Sequence, residues 1–245
     1  MSQNAHRFDP TILREYDIRG IVGKTLTEKD ALAIGRAFGT KIKRLNGNHV
    51  CIAYDGRESS PIFAEKLIEG LLSTGMTVEN LGLGPTPMLY FGVKDRNADG
   101  GIMITGSHNP AEYNGFKMTL QKSSVFGEEI QQLGKTAAAG DFEQGQGTLT
   151  TPDIKDAYVA RLLQDLKTTR PLNIVWDNGN GAAGEILRRL PAKLPGQHVL
   201  LYDDIDGTFP NHHPDPTVDK NLDDLKRSVL ERKFDLGIAF DGDGD

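Results

Sequence analysis

Apolar residues recur at helical spacing twice in the first half of the chain. Ala31, Ile34, Phe38 and Ile42 mark one helix face, and Phe63, Leu67 and Leu71 mark another. Thr27-Glu28-Lys29-Asp30 predicts the start of the first helix, with Thr27 as N-cap. Ser60-Pro61 predicts the start of the second, with Ser60 as N-cap, and Gly75 lies just beyond its end. Between them His49 to Asp55 reads as a buried strand, followed by a weaker strand signal at Thr77 to Leu81 and a third strand at Gly101 to Ile104. Gly84-Pro85-Thr86-Pro87 reads as a stiff turn that opens a helix. This alternation predicts an α/β layer fold.

Glycines and threonines with few apolar residues fill Gly140 to Pro152, which reads as a linker. A helix is then expected over Asp153 to Leu166, with Tyr158, Leu162 and Leu166 on one face. Beyond it the pattern predicts strand Asn173 to Trp176, helix Ala182 to Leu190, strand Val199 to Tyr202, helix Asn221 to Lys233 and strand Leu236 to Phe240. The similar order of elements points to two domains of similar architecture, residues 1–147 and 148–245.

Composition narrows the class. With 245 residues, 38% hydrophobic and 25% charged, the chain fits one large or two ordinary globular domains. No stretch reaches the ~20 apolar residues of a membrane helix, and Met1 to Arg7 lacks the apolar core of a secretory signal. No membrane partner and a cytoplasmic location are therefore expected. The formal net charge of −6 argues against nucleic acid. The single cysteine, Cys51, sits in an apolar run and reads as a small core residue.

The candidate chemistry lies at two strand ends. After the last strand comes Asp241-Gly242-Asp243-Gly244-Asp245. Three carboxylates at alternate positions repel one another unless a cation joins them, and hard oxygen donors favour Mg²⁺, Ca²⁺ or Mn²⁺. A chain that stops at such a loop reads as cut. An EF-hand is excluded, because this loop follows a strand rather than a helix. The second stretch, Thr105-Gly106-Ser107-His108-Asn109-Pro110, follows a buried strand, where α/β folds place ligands. Ser107, with His108 and Lys117 near in sequence, is a candidate nucleophile. It is no hydrolase elbow, since Thr105 and Asn109 stand where glycines are required, and no Gly-Lys-Ser/Thr phosphate loop is present.

Other motifs read as scaffolding. Gly179, Gly181 and Gly184 match dinucleotide-loop spacing, but a lone match reads as a strand-to-helix turn. Asp55-Gly56-Arg57 reads as a turn, and His212-His213 among prolines as a rigid loop.

Four segments together resemble the α-D-phosphohexomutases: Arg14 to Gly20, Thr105 to Pro110, Asn114 to Lys117 and Asp241 to Asp245. The opening segment and the serine loop look like the phosphomannomutase/phosphoglucomutase branch. The resemblance implies two three-layer α/β domains, each a mixed sheet between helices, the second truncated. It implies that Ser107 carries a phosphoryl group, and that Asp241, Asp243 and Asp245 hold Mg²⁺ with a phosphoserine oxygen from Ser107. It makes His108 and Lys117 the acid/base candidates, and turns Arg19 and Tyr16 toward a phosphorylated hexose. A hexose 1,6-bisphosphate would be both intermediate and primer. The C-terminal half of the same protein is an expected partner, and this chain alone is expected to be inactive. Two other readings stay open: a phosphatase-like hydrolase of sugar phosphates, and a non-catalytic, phosphorylatable Mg²⁺-binding module.

Overall fold

A computed structural model describes residues 5–121, 123–167 and 170–245; Met1 to Asn4 of the polar N-terminus lie outside it. The first unit runs β1 (Ile18–Ile21), α1 (Glu28–Arg44), β2 (His49–Tyr54), α2 (Ser60–Ser73), β3 (Thr77–Leu83), α3 (Thr86–Asp95), β4 (Gly100–Ile104), β5 (Tyr113–Leu120), β6 (Ser123–Ser124), α4 (Glu128–Ala139) and β7 (Thr148–Thr150). The second runs α5 (Lys155–Gln164), β8 (Ile174–Asp177), α6 (Gly184–Arg189), β9 (His198–Leu201), α7 (Asp223–Arg232) and β10 (Leu236–Ala239).

The first sheet has the order β1-β5-β4-β2-β3-β7, with β6 beside β5. It is mixed: β5 runs antiparallel to β4 and β1, while β2, β3, β4 and β7 are parallel. The second sheet, β10-β8-β9, is parallel throughout its described strands. Strand β7 falls inside the stretch expected as a linker and extends the first sheet through β3.

Local sequence explains the helices. In α1, Thr27 caps as expected, and the Asp30 carboxylate accepts from its N–H at 2.7 Å and its hydroxyl at 2.6 Å. Helices α1 and α2 cross so closely that a Cβ on Gly35 would stand 2.3 Å from the Leu67 carbonyl oxygen. Ser60 is not the N-cap of α2. Ser59 takes that position, because the buried Ser60 hydroxyl instead donates to Asp55 Oδ1 at 2.6 Å. In α5 the buried residues are Tyr158 and Val159, whereas Leu162, and Leu166 beyond the helix end, are exposed. The expected apolar face is thus shifted by one position, toward the side that meets the first unit.

Ile154, Tyr158, Val159 and Ile186 pack with Cys51, Ala53, Leu81, Met88 and Leu89 in one cluster that spans both units. Cys51 is a core residue as expected, and burial pushes its thiol up to about 12. No helix among the described residues is long and apolar enough to cross a membrane.

Register sets the site. Tyr54 pairs with Ile104, so the turn after β2 and the loop after β4 emerge side by side. Asp177 pairs with Ala239, so the turn after β8 lies beside the Asp loop after β10.

Candidate active site

The Ser107 loop is built around Arg57. Its guanidinium donates to the carbonyls of Pro110 (2.6 Å), Tyr113 (2.9 Å), Ser107 (2.9 Å) and Asn109 (2.6 Å). Its Nε donates to Asp55 Oδ2 at 3.1 Å, and the same oxygen accepts the Gly106 N–H at 3.1 Å. Both Arg57 and Asp55 are buried. A Cβ on Gly106 would lie 2.3 Å from Arg57 Cζ, so any larger residue here would displace the guanidinium. Ser107 itself has φ +49°, a left-handed conformation that serine adopts at a cost. The Thr105 hydroxyl holds it there, accepting the Ser107 N–H at 2.7 Å.

The Asp loop meets this turn from the second unit. Ser107 Oγ donates to Asp241 Oδ2 at 2.7 Å. Thr86, first residue of α3, clasps Asp243 twice: its hydroxyl donates to Oδ2 and its N–H to the carbonyl, both at 2.7 Å. Lys117 Nζ donates to Asp243 Oδ2 at 2.9 Å and to Asp245 Oδ2 at 3.3 Å. The turn with dinucleotide-like glycines supports the loop from below, Ala182 N–H donating to the Gly242 carbonyl at 3.0 Å.

Charge in this cluster is unbalanced. Burial and the Asp243 charge push the Asp241 carboxyl up to about 7. Burial also opposes the charge on Asp243, but Lys117 and the hydrogen bonds of Asp241 and Thr86 hold it below the usual carboxylate range. Burial likewise opposes the charge on Lys117, and Asp243 and Asp245 outweigh it, so its pKa is raised. Asp243 Oδ1 is buried without a hydrogen-bond partner. An orphaned carboxylate oxygen beside two further carboxylates and a serine hydroxyl is a donor set that fits a hard divalent cation.

The remaining candidates lie around this centre. His108 Nδ1 stands 3.5 Å from Ser107 Oγ and 3.9 Å from Asp241 Oδ2, on a side chain 59% exposed. Arg19 is buried: Nη1 donates to the Gly106 carbonyl at 2.8 Å and to the Asn109 side chain, and Nη2 pairs with Asp17 at 2.6 Å. Only its Nε lacks a partner. Tyr16 is 77% exposed and, with Asp17, Tyr90, Lys117 and Phe126, lines a cleft of about 320 Å³.

Sequence reasoning did not single out Thr86, and treated Asp55, Arg57 and His213 as loop residues. Asp55-Gly56-Arg57 is indeed a turn, but one whose arginine organises the serine loop. His213 Nε2 donates to the His108 carbonyl at 2.6 Å, and Phe209 lies 5.3 Å beneath the Arg57 guanidinium. The loop of the histidine pair therefore joins the second unit to the serine turn. A carboxylate-arginine pair directly after a buried strand was the signal available for Arg57.

Two α/β units thus join a strained serine turn to a triple-aspartate loop. Residues 10–144 match phosphoglucomutase/phosphomannomutase alpha/beta/alpha domain I, and residues 156–245 match alpha/beta/alpha domain II. The chain belongs to the phosphoglucomutase/phosphomannomutase family. It is 43% identical over 235 residues to a phosphomannomutase/phosphoglucomutase of Pseudomonas putida, covering 96% of this chain and 51% of that protein. It is 42% identical over 236 residues to a phosphoglucomutase of Neisseria meningitidis, again covering 96% and 51%. A crystal structure of a phosphoglucomutase/phosphomannomutase family protein from Burkholderia thailandensis superposes with a TM-score of 0.94 at 43% identity. That match covers 97% of this chain and 54% of the other. The chain thus spans about half the length of the relatives it matches.

Proposed function

We propose that this chain supplies the phosphoserine and metal-binding half of a hexose-phosphate mutase, which moves a phosphoryl group between C1 and C6 of glucose or mannose phosphates. The observation that carries the reading is the 2.7 Å bond from Ser107 Oγ to Asp241, made between the two units. A serine used only to shape its loop has no need of a carboxylate partner in a different domain.

In this reading phosphorylated Ser107 donates its phosphoryl group to the free hydroxyl of a hexose 1-phosphate. The P–Oγ bond breaks, the sugar O–P bond forms, and the hydroxyl proton passes to a side chain. The resulting 1,6-bisphosphate turns over in the cleft, and its other phosphoryl group returns to Ser107 Oγ, leaving the 6-phosphate. The same bisphosphate primes unphosphorylated protein. His108, whose Nδ1 is 3.5 Å from Ser107 Oγ, carries the proton of the serine. Lys117 keeps its charge and offsets that of the phosphoryl oxygens. Asp241, Asp243 and Asp245 would hold Mg²⁺ with a phosphoserine oxygen; when bound, the ion draws charge from the phosphoryl group and makes Oγ a better leaving group. Arg19 positions the loop through Gly106 and Asn109, and Tyr16 forms the cleft wall. The C-terminal half of a longer protein completes sugar recognition. The reading takes small phosphorylated hexoses as substrates and the cytoplasm as the setting.

The test is radiolabel transfer from glucose 1,6-bisphosphate with Mg²⁺, followed by phosphopeptide mapping. Label on Ser107 that passes on to a hexose monophosphate supports the mutase. Release only as inorganic phosphate would favour the hydrolase, and label that persists in Ser107→Ala would remove the assignment.

A further inference from the structure

At the other end of β2 from Asp55, three side chains of different chemistry converge. His49 and Cys51 are two residues apart on one strand and so share a face of the sheet. Glu79 on β3 is the register partner of Cys51 and joins them on that face. One ligand atom from each lies within 4.8 Å of the other two. His49 Nε2 is buried without a hydrogen-bond partner, and it stands 3.4 Å from Glu79 Oε1. Two ligands on one tetrahedral ion, with bonds of ~2.0–2.1 Å, are themselves roughly 3.3–3.4 Å apart. The imidazole and carboxylate therefore already stand at the spacing of two ligands to one ion.

We propose that His49, Cys51 and Glu79 form a binding site for a divalent transition ion of the Zn²⁺ type, separate from the carboxylate loop. One nitrogen, one sulfur and one oxygen donor select a borderline ion such as Zn²⁺ and reject Mg²⁺, which takes oxygen ligands. Burial keeps the Cys51 thiol protonated in the ion-free protein, so its S–H bond is lost only as the S–metal bond forms, with the proton leaving to solvent. The competitor for Glu79 is Arg96, whose Nε and Nη2 donate to the carboxylate at 2.8 and 3.1 Å. Its side chain is 41% exposed and can turn outward, giving up the carboxylate and opening a path for the ion. Solvent supplies the fourth ligand from the same side, where His49 and Glu79 are partly accessible.

Co²⁺ titration tests this directly, because a cobalt–thiolate bond gives a charge-transfer absorption and Cys51 is the chain's only cysteine. The protein is titrated as it is and as the Asp241→Asn/Asp243→Asn variant, which silences the other site. A charge-transfer band is expected in both, saturating at one equivalent in the variant, displaced by Zn²⁺ and not by Mg²⁺. His49→Gln and Glu79→Gln, at partly accessible positions, should keep the native circular dichroism and weaken binding at least about tenfold each. Arg96→Ala should tighten it by removing the competitor. No band, or a midpoint unmoved in both His49→Gln and Glu79→Gln, overturns the site. The outcome is independent of phosphoryl transfer.

Discussion

Ser107 and Asp241 stand 134 positions apart in the chain, yet the serine hydroxyl donates to the Asp241 carboxylate at 2.7 Å. In the proposed mutase this contact would couple phosphorylation of Ser107 to cation binding across the two domains. Adding nearly two negative charges at Ser107 beside Asp241 raises the demand for a counter-cation and supplies oxygen ligands for it. Mg²⁺ should therefore bind more tightly to phosphorylated than to unphosphorylated protein, and Asp243→Asn should weaken it at least about tenfold. Calorimetry on the two forms measures this; equal affinities would separate the two sites.

Arg57 is the residue whose loss should disturb the serine loop most. Its guanidinium satisfies four carbonyls and pairs with the buried Asp55 at 3.1 Å. Arg57→Met removes those donors and strands a buried carboxylate, a change that costs about 3–5 kcal/mol. Urea unfolding should show a loss on that scale. Labelling of Ser107 by the bisphosphate should also fall in whatever fraction stays folded, because the left-handed turn at Ser107 loses its brace. A variant that unfolds easily but labels normally would limit Arg57 to stability.

Most of the fold was legible because period and caps agree. Ala31, Ile34, Phe38 and Ile42 are buried at helical spacing in α1 behind the expected Thr27 cap. The strands His49–Tyr54 and Leu236–Ala239 are short, β-branched or apolar runs. Strand β5 was not legible, because its Asn114-Gly115 pair reads as a turn; antiparallel pairing with β1 and β4 overrides that local signal. The face of α5 was misread at Leu162 and Leu166 because one helix in isolation does not reveal which side meets a neighbouring unit. Ser107, Lys117 and the three aspartates were visible from their motifs, and the structure brings them together. The role of Arg57 was not visible, since it depends on carbonyl groups about 50 residues away that only the β2–β4 register places beside it.

Stability should also depend on pH through His212. Its Nε2 lies 3.1 Å from both oxygens of the buried Asp177, and this hydrogen bond, against the opposing effect of burial, raises its pKa above the ordinary 6.5. A histidine raised in the folded state contributes stability that is fully present below its unfolded pKa. That contribution is lost as pH rises through the folded value. Denaturant midpoints measured from acid through mildly alkaline pH should fall over this window in the parent protein. The decline should be shallower in His212→Gln. A slope unchanged in the variant would assign the pH dependence to other groups.

The final prediction concerns the 245-residue chain by itself. It holds the candidate nucleophile, the carboxylates and the proton-transfer candidates, yet it matches only 51% of the Pseudomonas putida relative. Aligning a sugar hydroxyl on a phosphoserine requires grip on the distant phosphate and ring hydroxyls, and such alignment is worth roughly 7–11 kcal/mol of barrier in favourable cases. The cleft is lined by Lys117 together with Tyr16, Asp17, Tyr90, Met118, Ser124 and Phe126, so a second phosphate meets one cation among these side chains. The chain alone should accept label at Ser107 slowly and interconvert glucose 1-phosphate and glucose 6-phosphate well below about 1 s⁻¹, the lower end of ordinary turnover. A coupled assay with Mg²⁺ and a bisphosphate primer measures it. Adding a separately expressed C-terminal half of a relative should raise turnover by orders of magnitude. Full activity of the chain alone would show that all of the substrate grip lies within these two domains.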